Sequence, residues 1–176
     1  LLLGGTLNGF TGPRETGGSE VARRETKMTI GPWGHGASRK FGDVDFGPDA
    51  MRHLFNRELR WFDHYLMGMD NGIDREPPVD IFIMGANKWV KFQDWPIPGT
   101  RMTPIYLDSA GTANSARGNG RLSFDKPSGN PHDRFEYDPL HPVASVGGND
   151  CCGMPASAGP VDQRPVEARN DVLVYT

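Results

Sequence analysis

The chain has 176 residues, 36% of them hydrophobic and 23% charged, with a formal net charge of −3; such a balance folds into globular structure. Its mildly acidic character, with a pI near 5.9, argues against nucleic acid or an anionic membrane as the main partner. No run of about 18 apolar residues is present to cross a bilayer, and the 23 glycines and 15 prolines announce many turns.

Leu3, Leu7 and Phe10 recur at helical spacing, but Gly9, Gly12 and Pro13 predict a short, weak helix. Residues 13–26 are polar and read as a surface connection with one helical turn at 20–24. Residues 27–30 predict a strand that stops at Gly31-Pro32 and releases Trp33-Gly34-His35-Gly36 into a loop. A strand fixes the base of such a loop, and glycines let the backbone turn around the one imidazole. Imidazole titrates near neutrality, so His35 can take a proton and return it within one turnover. The competing reading is a structural histidine in a turn. Residues 36–47 read as a loop, in which Asp43 and Asp45 are short polar turn residues or, alternatively, an orienting acid for His35.

Gly47-Pro48 introduces the clearest helix, residues 49–67, closed by Gly68. Met51, Leu54, Phe55, Leu59, Phe62, Tyr65 and Leu66 form an apolar face expected to be buried. Arg52, His53, Arg57, Arg60 and His64 are expected on a solvated face. His53 and His64 lack the further ligands at i+3 or i+4 that a metal site requires, and no metal is expected. Residues 79–84 form a nearly continuous apolar strand, and residues 87–92 alternate polar and apolar. Trp95-Pro96-Ile97-Pro98-Gly99 breaks the pattern and places a boundary between segments 1–95 and 96–176. Beyond it, short strand candidates at 103–107, 121–124, 135–137 and 172–175 are separated by turn-rich stretches at 109–120, 126–133 and 143–165. This is the pattern of an all-β sandwich. Cys151 and Cys152 are adjacent; bridging neighbours closes a strained ring, so two reduced thiols are expected rather than a disulfide or zinc site.

Gly31-Pro32-Trp33-Gly34-His35 resembles the histidine segment of the CocE/NonD hydrolases, the cocaine esterase-like relatives of the Xaa-Pro dipeptidyl-peptidases. Further matching stretches follow in the same order: Arg60-Trp61-Phe62-Asp63-His64-Tyr65-Leu66, Val79-Asp80-Ile81-Phe82-Ile83-Met84-Gly85, Trp95-Pro96, Asp162-Gln163-Arg164-Pro165-Val166-Glu167 and Asp171-Val172-Leu173-Val174-Tyr175-Thr176. The resemblance implies the C-terminal part of an α/β-hydrolase catalytic domain over 1–95, followed by the beginning of a jelly-roll (galactose-binding-like) domain over 96–176. It makes His35 the general base of a Ser-His-Asp triad. The acid would lie just before Leu1, and the chain is expected to be a segment of a longer protein. No G-x-S-x-G nucleophile motif occurs; Gly17-Gly18-Ser19-Glu20-Val21 lacks the final glycine and follows no strand. The implied reaction is cleavage of a small-molecule ester or amide through an acyl-enzyme, by the intact protein and not by this segment alone. No organic cofactor is implied, and a homo-oligomer is compatible with the sequence. The compartment is open, with the cytoplasm favoured. Trp33 is a candidate wall of the acyl pocket, or else packs beneath the loop. A reading from a different class makes the β portion a carbohydrate- or partner-binding module, resting on Trp89 and Trp95 as stacking surfaces.

Overall fold

The computed structural model describes residues 2–34, 38–42, 44–52, 55–129, 132–148 and 159–176. The chain divides into two compact units, Leu1–Thr100 and Arg101–Thr176.

The first unit runs α1 (Leu2–Thr16), α2 (Glu20–Glu25), β1 (Met28–Ile30), the short strands β2 (Lys40–Phe41) and β3 (Val44–Asp45), a 3-10 turn (Pro48–Met51), α3 (Asn56–Met67), β4 (Val79–Ile83) and β5 (Lys88–Phe92). α1 is longer than its glycines predict. Phe10 is buried against Met28 and Val79, and Leu7 packs beside it; tertiary packing of one face outweighs weak propensity. Ser19 caps α2 by accepting from the Ala22 N–H at 3.1 Å. The stretch expected to be loop before Pro48 contains the β2–β3 hairpin, with Phe41 opposite Val44.

β1, β4 and β5 form one sheet in that order. β1 and β4 are parallel, with Met28 opposite Val79 and Ile30 opposite Ile81; β4 and β5 are antiparallel, with Phe82 opposite Trp89. Side chains alternate between faces along a strand, and the two faces meet different partners. Met28, Ile30, Val79 and Ile81 pack with Leu7, Phe10, Phe92 and Trp95 on the α1 side. Phe82 packs with Phe41, Phe46, Ala50 and Trp89 on the other, where Thr29 and Asp80 meet Arg57 of α3. A parallel strand pair covered on both faces explains the nearly continuous apolar run of β4.

α3 corrects the expected orientation of its faces. Arg57 is buried and Arg60 part-buried, whereas Phe55, Leu59, Phe62 and Leu66 are 72%, 61%, 51% and 72% exposed. The inward side is held by polar links: the Arg60 guanidinium to Glu76 at 2.7 Å and to the Asn71 carbonyl at 3.0 Å, and the Tyr65 hydroxyl donating to Glu25 at 2.6 Å. Gly68 ends the helix in the left-handed conformation, as expected.

The second unit contains β6 (Tyr106–Asp108) paired antiparallel with β7 (Arg121–Ser123), and α4 (Arg164–Glu167) inside a stretch expected to be turns. Its buried centre, around Ala113 and Ser115, is small; hydrogen bonds hold it. Asp133 accepts from Ser109 Oγ at 2.7 Å, Tyr175 OH at 2.5 Å and the Ala113 N–H at 2.8 Å. The end of the chain runs beside residues 113–122 through Ser115 N–H to Val172 O (2.8 Å), Val174 N–H to Ala113 O (2.8 Å) and Leu122 N–H to Thr176 O (3.1 Å). Gly120 makes this passage feasible, since a Cβ there would stand 2.0 Å from the Val174 carbonyl oxygen. Residues 135–137, expected as a strand, are not one, and Phe135 and Tyr137 are exposed.

The expected architecture is corrected in one respect. The α/β-hydrolase fold is not contained in this chain: the described residues offer a single parallel strand pair, far short of a doubly wound sheet. The second unit is β-rich as expected, but its described strands make a hairpin and bridges, whereas a jelly roll uses roughly eight strands.

Candidate functional site

β1 delivers the chain into Gly31-Pro32-Trp33-Gly34, and the base of this loop is firmly fixed. The Trp33 indole N–H donates to the Ala50 carbonyl at 2.8 Å. Its ring lies 5.6 Å from that of Trp89, whose own N–H donates to the Asp49 carbonyl at 2.8 Å. The Trp33 ring folds back across Gly31, where a Cβ would come within 2.3 Å of it; only glycine permits this approach. Pro32 is buried. The same indole lines a groove of about 540 Å³. His35 lies outside the described residues, as do Asp43, His53, Cys151 and Cys152.

The groove is lined by Lys27, Thr29, Trp33, Arg57, Glu58, Trp61 and Phe62. Arg57, 6% exposed, ties three segments together. Nη1 donates to Thr29 Oγ1 on β1 at 3.1 Å and lies 3.0 Å from Asp80 Oδ2 on β4, and Nη2 donates to the Pro77 carbonyl at 3.2 Å. Burial pushes the guanidinium pKa down and Asp80 opposes the shift; the group stays cationic at any pH at which proteins fold. The Lys27 ammonium donates to the carbonyls of Asp74 at 3.2 Å and Glu76 at 2.6 Å, and burial, then the charge of Arg57, lowers its pKa. The wall therefore combines aromatic rings with two anchored cations.

Asp45 is occupied elsewhere: it accepts from the Gly47 N–H at 2.8 Å and sits 3.5 Å from both Arg39 and Lys40. The Gly47 bond is the main cause of its lowered pKa. Trp89 and Trp95 are half-buried and pack against the two core clusters of the first unit. Among the described residues, no group of three or more His, Cys, Asp and Glu side chains converges as metal ligands would. Arg57, read from the sequence as a solvated residue, is the site feature that the helical pattern concealed.

The family model for the X-Pro dipeptidyl-peptidase C-terminal non-catalytic domain matches residues 71–176. The chain belongs to this family. It is 34% identical over 183 residues to the cocaine esterase of Rhodococcus sp. (strain MB1 Bresler), an alignment that covers 100% of this chain and 31% of the relative. This agrees with the CocE/NonD resemblance carried by the motifs. A crystal structure of an aminopeptidase from the marine sediment archaeon Thaumarchaeota archaeon superposes with a TM-score of 0.63 and 26% identity, over 85% of this chain and 24% of that one. The chain thus spans about a third or less of the length of these two proteins. The X-Pro dipeptidyl-peptidase match begins ahead of β4 and β5, whereas β1, the Trp33 loop and α3 precede it.

Proposed function

We propose that this chain is part of a serine hydrolase that cleaves a small-molecule ester or amide through an acyl-enzyme. His35 is the general base of a Ser-His-Asp triad whose serine and acid lie elsewhere in the protein. It takes the proton of the serine hydroxyl as the acyl-enzyme forms and returns it to the leaving group. Trp33 lines the apolar wall of the acyl pocket. The observation that supports this most is the 34% identity to a cocaine esterase along the whole chain, with the Gly-Pro-Trp-Gly-His segment included. The anchored base of the loop, from Gly31 to Trp33, fits a histidine that must be held in register.

The test is His35→Ala in the full-length protein, with an ester substrate and a serine-directed fluorophosphonate probe. Turnover is expected to fall on the order of 10⁴–10⁶-fold with the melting temperature unchanged. The 176-residue chain alone is expected neither to turn over substrate nor to take up the probe. A variant that keeps a tenth of the parent activity removes His35 from the role.

A further inference from the structure

The chain leading to His35 is held at two neighbouring residues, Trp33 and Gly34, and one series of aromatic rings connects the two. The Trp33 indole lies 5.6 Å from that of Trp89, and Trp89 stands 5.4 Å from Phe82, edge to face. Phe82 continues to Phe46 at 6.1 Å, and Phe46 to Phe41 at 6.3 Å. Phe41 closes the series on Gly34, where a Cβ would stand 3.1 Å from its ring. Pairs at such spacings fix ring geometry as well as burying area. Trp89 and Phe82 face each other across the β4–β5 ladder, so this hairpin supplies the middle of the series. Trp89 also reaches Trp33 by a second route. Its indole N–H donates to the Asp49 carbonyl and that of Trp33 to the Ala50 carbonyl, each at 2.8 Å. Neighbouring carbonyls of one 3-10 turn thus accept from both rings. Loss of Trp89 therefore frees the Trp33 ring directly and loosens the turn to which that ring is bonded.

We infer that Trp89 is a positioning residue for His35, acting through Trp33 and the 48–51 turn; the inference rests on the reading of His35 as general base. Two residues of chain reach at most about 7 Å, so a displacement of Trp33 passes to His35 with little slack. A catalytic group must keep its geometry to within about 0.5 Å, and a misplacement of about 1 Å costs on the order of 100-fold in rate. Trp89 belongs to the stretch 71–176 that matches a non-catalytic domain, yet it lies in the same compact unit as Trp33, Leu1–Thr100. Trp33, Phe41 and Phe46 come from the segment ahead of that match, so the aromatic series is assembled across its boundary. The hairpin of β4 and β5 thereby takes a part in the reaction.

The experiment compares Trp89→Leu and Trp89→Phe with Phe92→Leu in the full-length protein, well below every melting transition. Phe92 lies on the same strand but packs with the cluster on the opposite face of the sheet, so its truncation weakens the hairpin and leaves the aromatic series in place. The readouts are kcat and KM for p-nitrophenyl acetate, the labelling rate of a fluorophosphonate probe, and the melting temperature. Trp89→Leu is expected to lower kcat and the labelling rate ~10–100-fold, with KM within ~3-fold. Trp89→Phe keeps a ring beside Trp33 and loses the donor to Asp49, and is expected to lose only ~3–10-fold in kcat. Phe92→Leu is expected to lower the melting temperature and leave kcat within ~2-fold. A Trp89→Leu kcat within ~2-fold of the parent, or equal losses of kcat in Trp89→Leu and Phe92→Leu, overturns the inference, because the ring then serves the core alone. Where Trp89→Leu does not fold, an unchanged kcat in Trp89→Phe overturns it. His35→Ala runs beside these variants and separates the two readings. Inactive His35→Ala with parent-like Trp89→Leu removes the role of Trp89 alone; active His35→Ala removes the base, and the positioning role with it.

Discussion

Asp80→Asn tests whether the sheet and α3 depend on one buried ion pair. Asp80 is 0% and Arg57 6% exposed, and the charged atoms stand 3.0 Å apart. At that distance and an effective dielectric of about 20, their attraction is about 5–6 kcal/mol, offset by the cost of taking both groups out of water. Asparagine keeps the shape and removes the counter-charge, which leaves a guanidinium buried with Thr29 Oγ1 and the Pro77 carbonyl as neutral acceptors. The loss is expected at about 3–5 kcal/mol, or a melting temperature lower on the order of 12–40 °C for a unit of this size. The double replacement Asp80→Leu with Arg57→Met removes both charges. It is expected to recover most of the loss and end within about 2 kcal/mol of the parent, the deficit reflecting the donor lost to Pro77. Urea unfolding followed by tryptophan fluorescence measures all members of the cycle. If Asp80→Asn costs less than about 1 kcal/mol, or the double variant is as unstable as the single, the pair is solvated and the reasoning is wrong.

Glu76 supplies a pH-dependent link. Burial opposes its ionisation, but hydrogen bonds from Lys91 and Arg60 together prevail and bring its pKa down to about 2 from an ordinary 4.5. A depressed folded-state pKa gives stability that is full above 4.5 and lost as the pH falls toward 2. Glu76→Gln is therefore expected to lower stability at pH 7 on the order of 1–2 kcal/mol after solvent screening, with the two unfolding curves converging near pH 2; a constant gap down to that pH contradicts the linkage. Gly120→Ala places a Cβ 2.0 Å from the Val174 carbonyl oxygen and is expected to destabilise the second unit by about 1–3 kcal/mol, with faster exchange of the Val174 amide as the local readout. Trp33→Phe removes the donor to Ala50 and is expected to cost about 1 kcal/mol. If the proposed hydrolase reading holds, in the full-length protein it should lower kcat more than it changes KM, because the His35 loop springs from this anchor; an unchanged kcat separates the anchor from catalysis.

Local signals in the sequence foretold the elements with local causes. The Gly31-Pro32 stop places the end of β1 at Ile30, Gly68 ends α3, and the nearly continuous apolar run of residues 79–83 becomes a strand covered on both faces. What failed depended on partners distant in the chain. α1 extends to Thr16 through four glycines and a proline because Phe10 finds Met28 and Val79. The strand expected at 135–137 does not form, and the neighbouring Asp133 is recruited by Ser109 and Tyr175. At the candidate site, Trp33 packs beneath the loop, held by its bond to the Ala50 carbonyl and its contact with Trp89.

The faces of α3 carry the deeper lesson. Periodicity identifies an apolar row, but it cannot say which body covers that row. Here the row Phe55, Leu59, Phe62 and Leu66 is exposed, and the arginine side meets the sheet. A signal for this was present in the strand, not in the helix. Asp80 stands inside Val79-Asp80-Ile81-Phe82-Ile83, a run that reads as buried. A carboxylate in such a strand requires a cation, because an unpaired buried charge is too costly to keep. The parallel pairing of β1 with β4 makes their connection, which contains α3, cross over the sheet, so a cation on that helix is the natural donor. Among its basic residues, Arg57 lies in the first turn of α3, where it also reaches Thr29 and Pro77. The lone charge in the strand thus turns the arginine side of α3 inward and leaves the apolar row facing out.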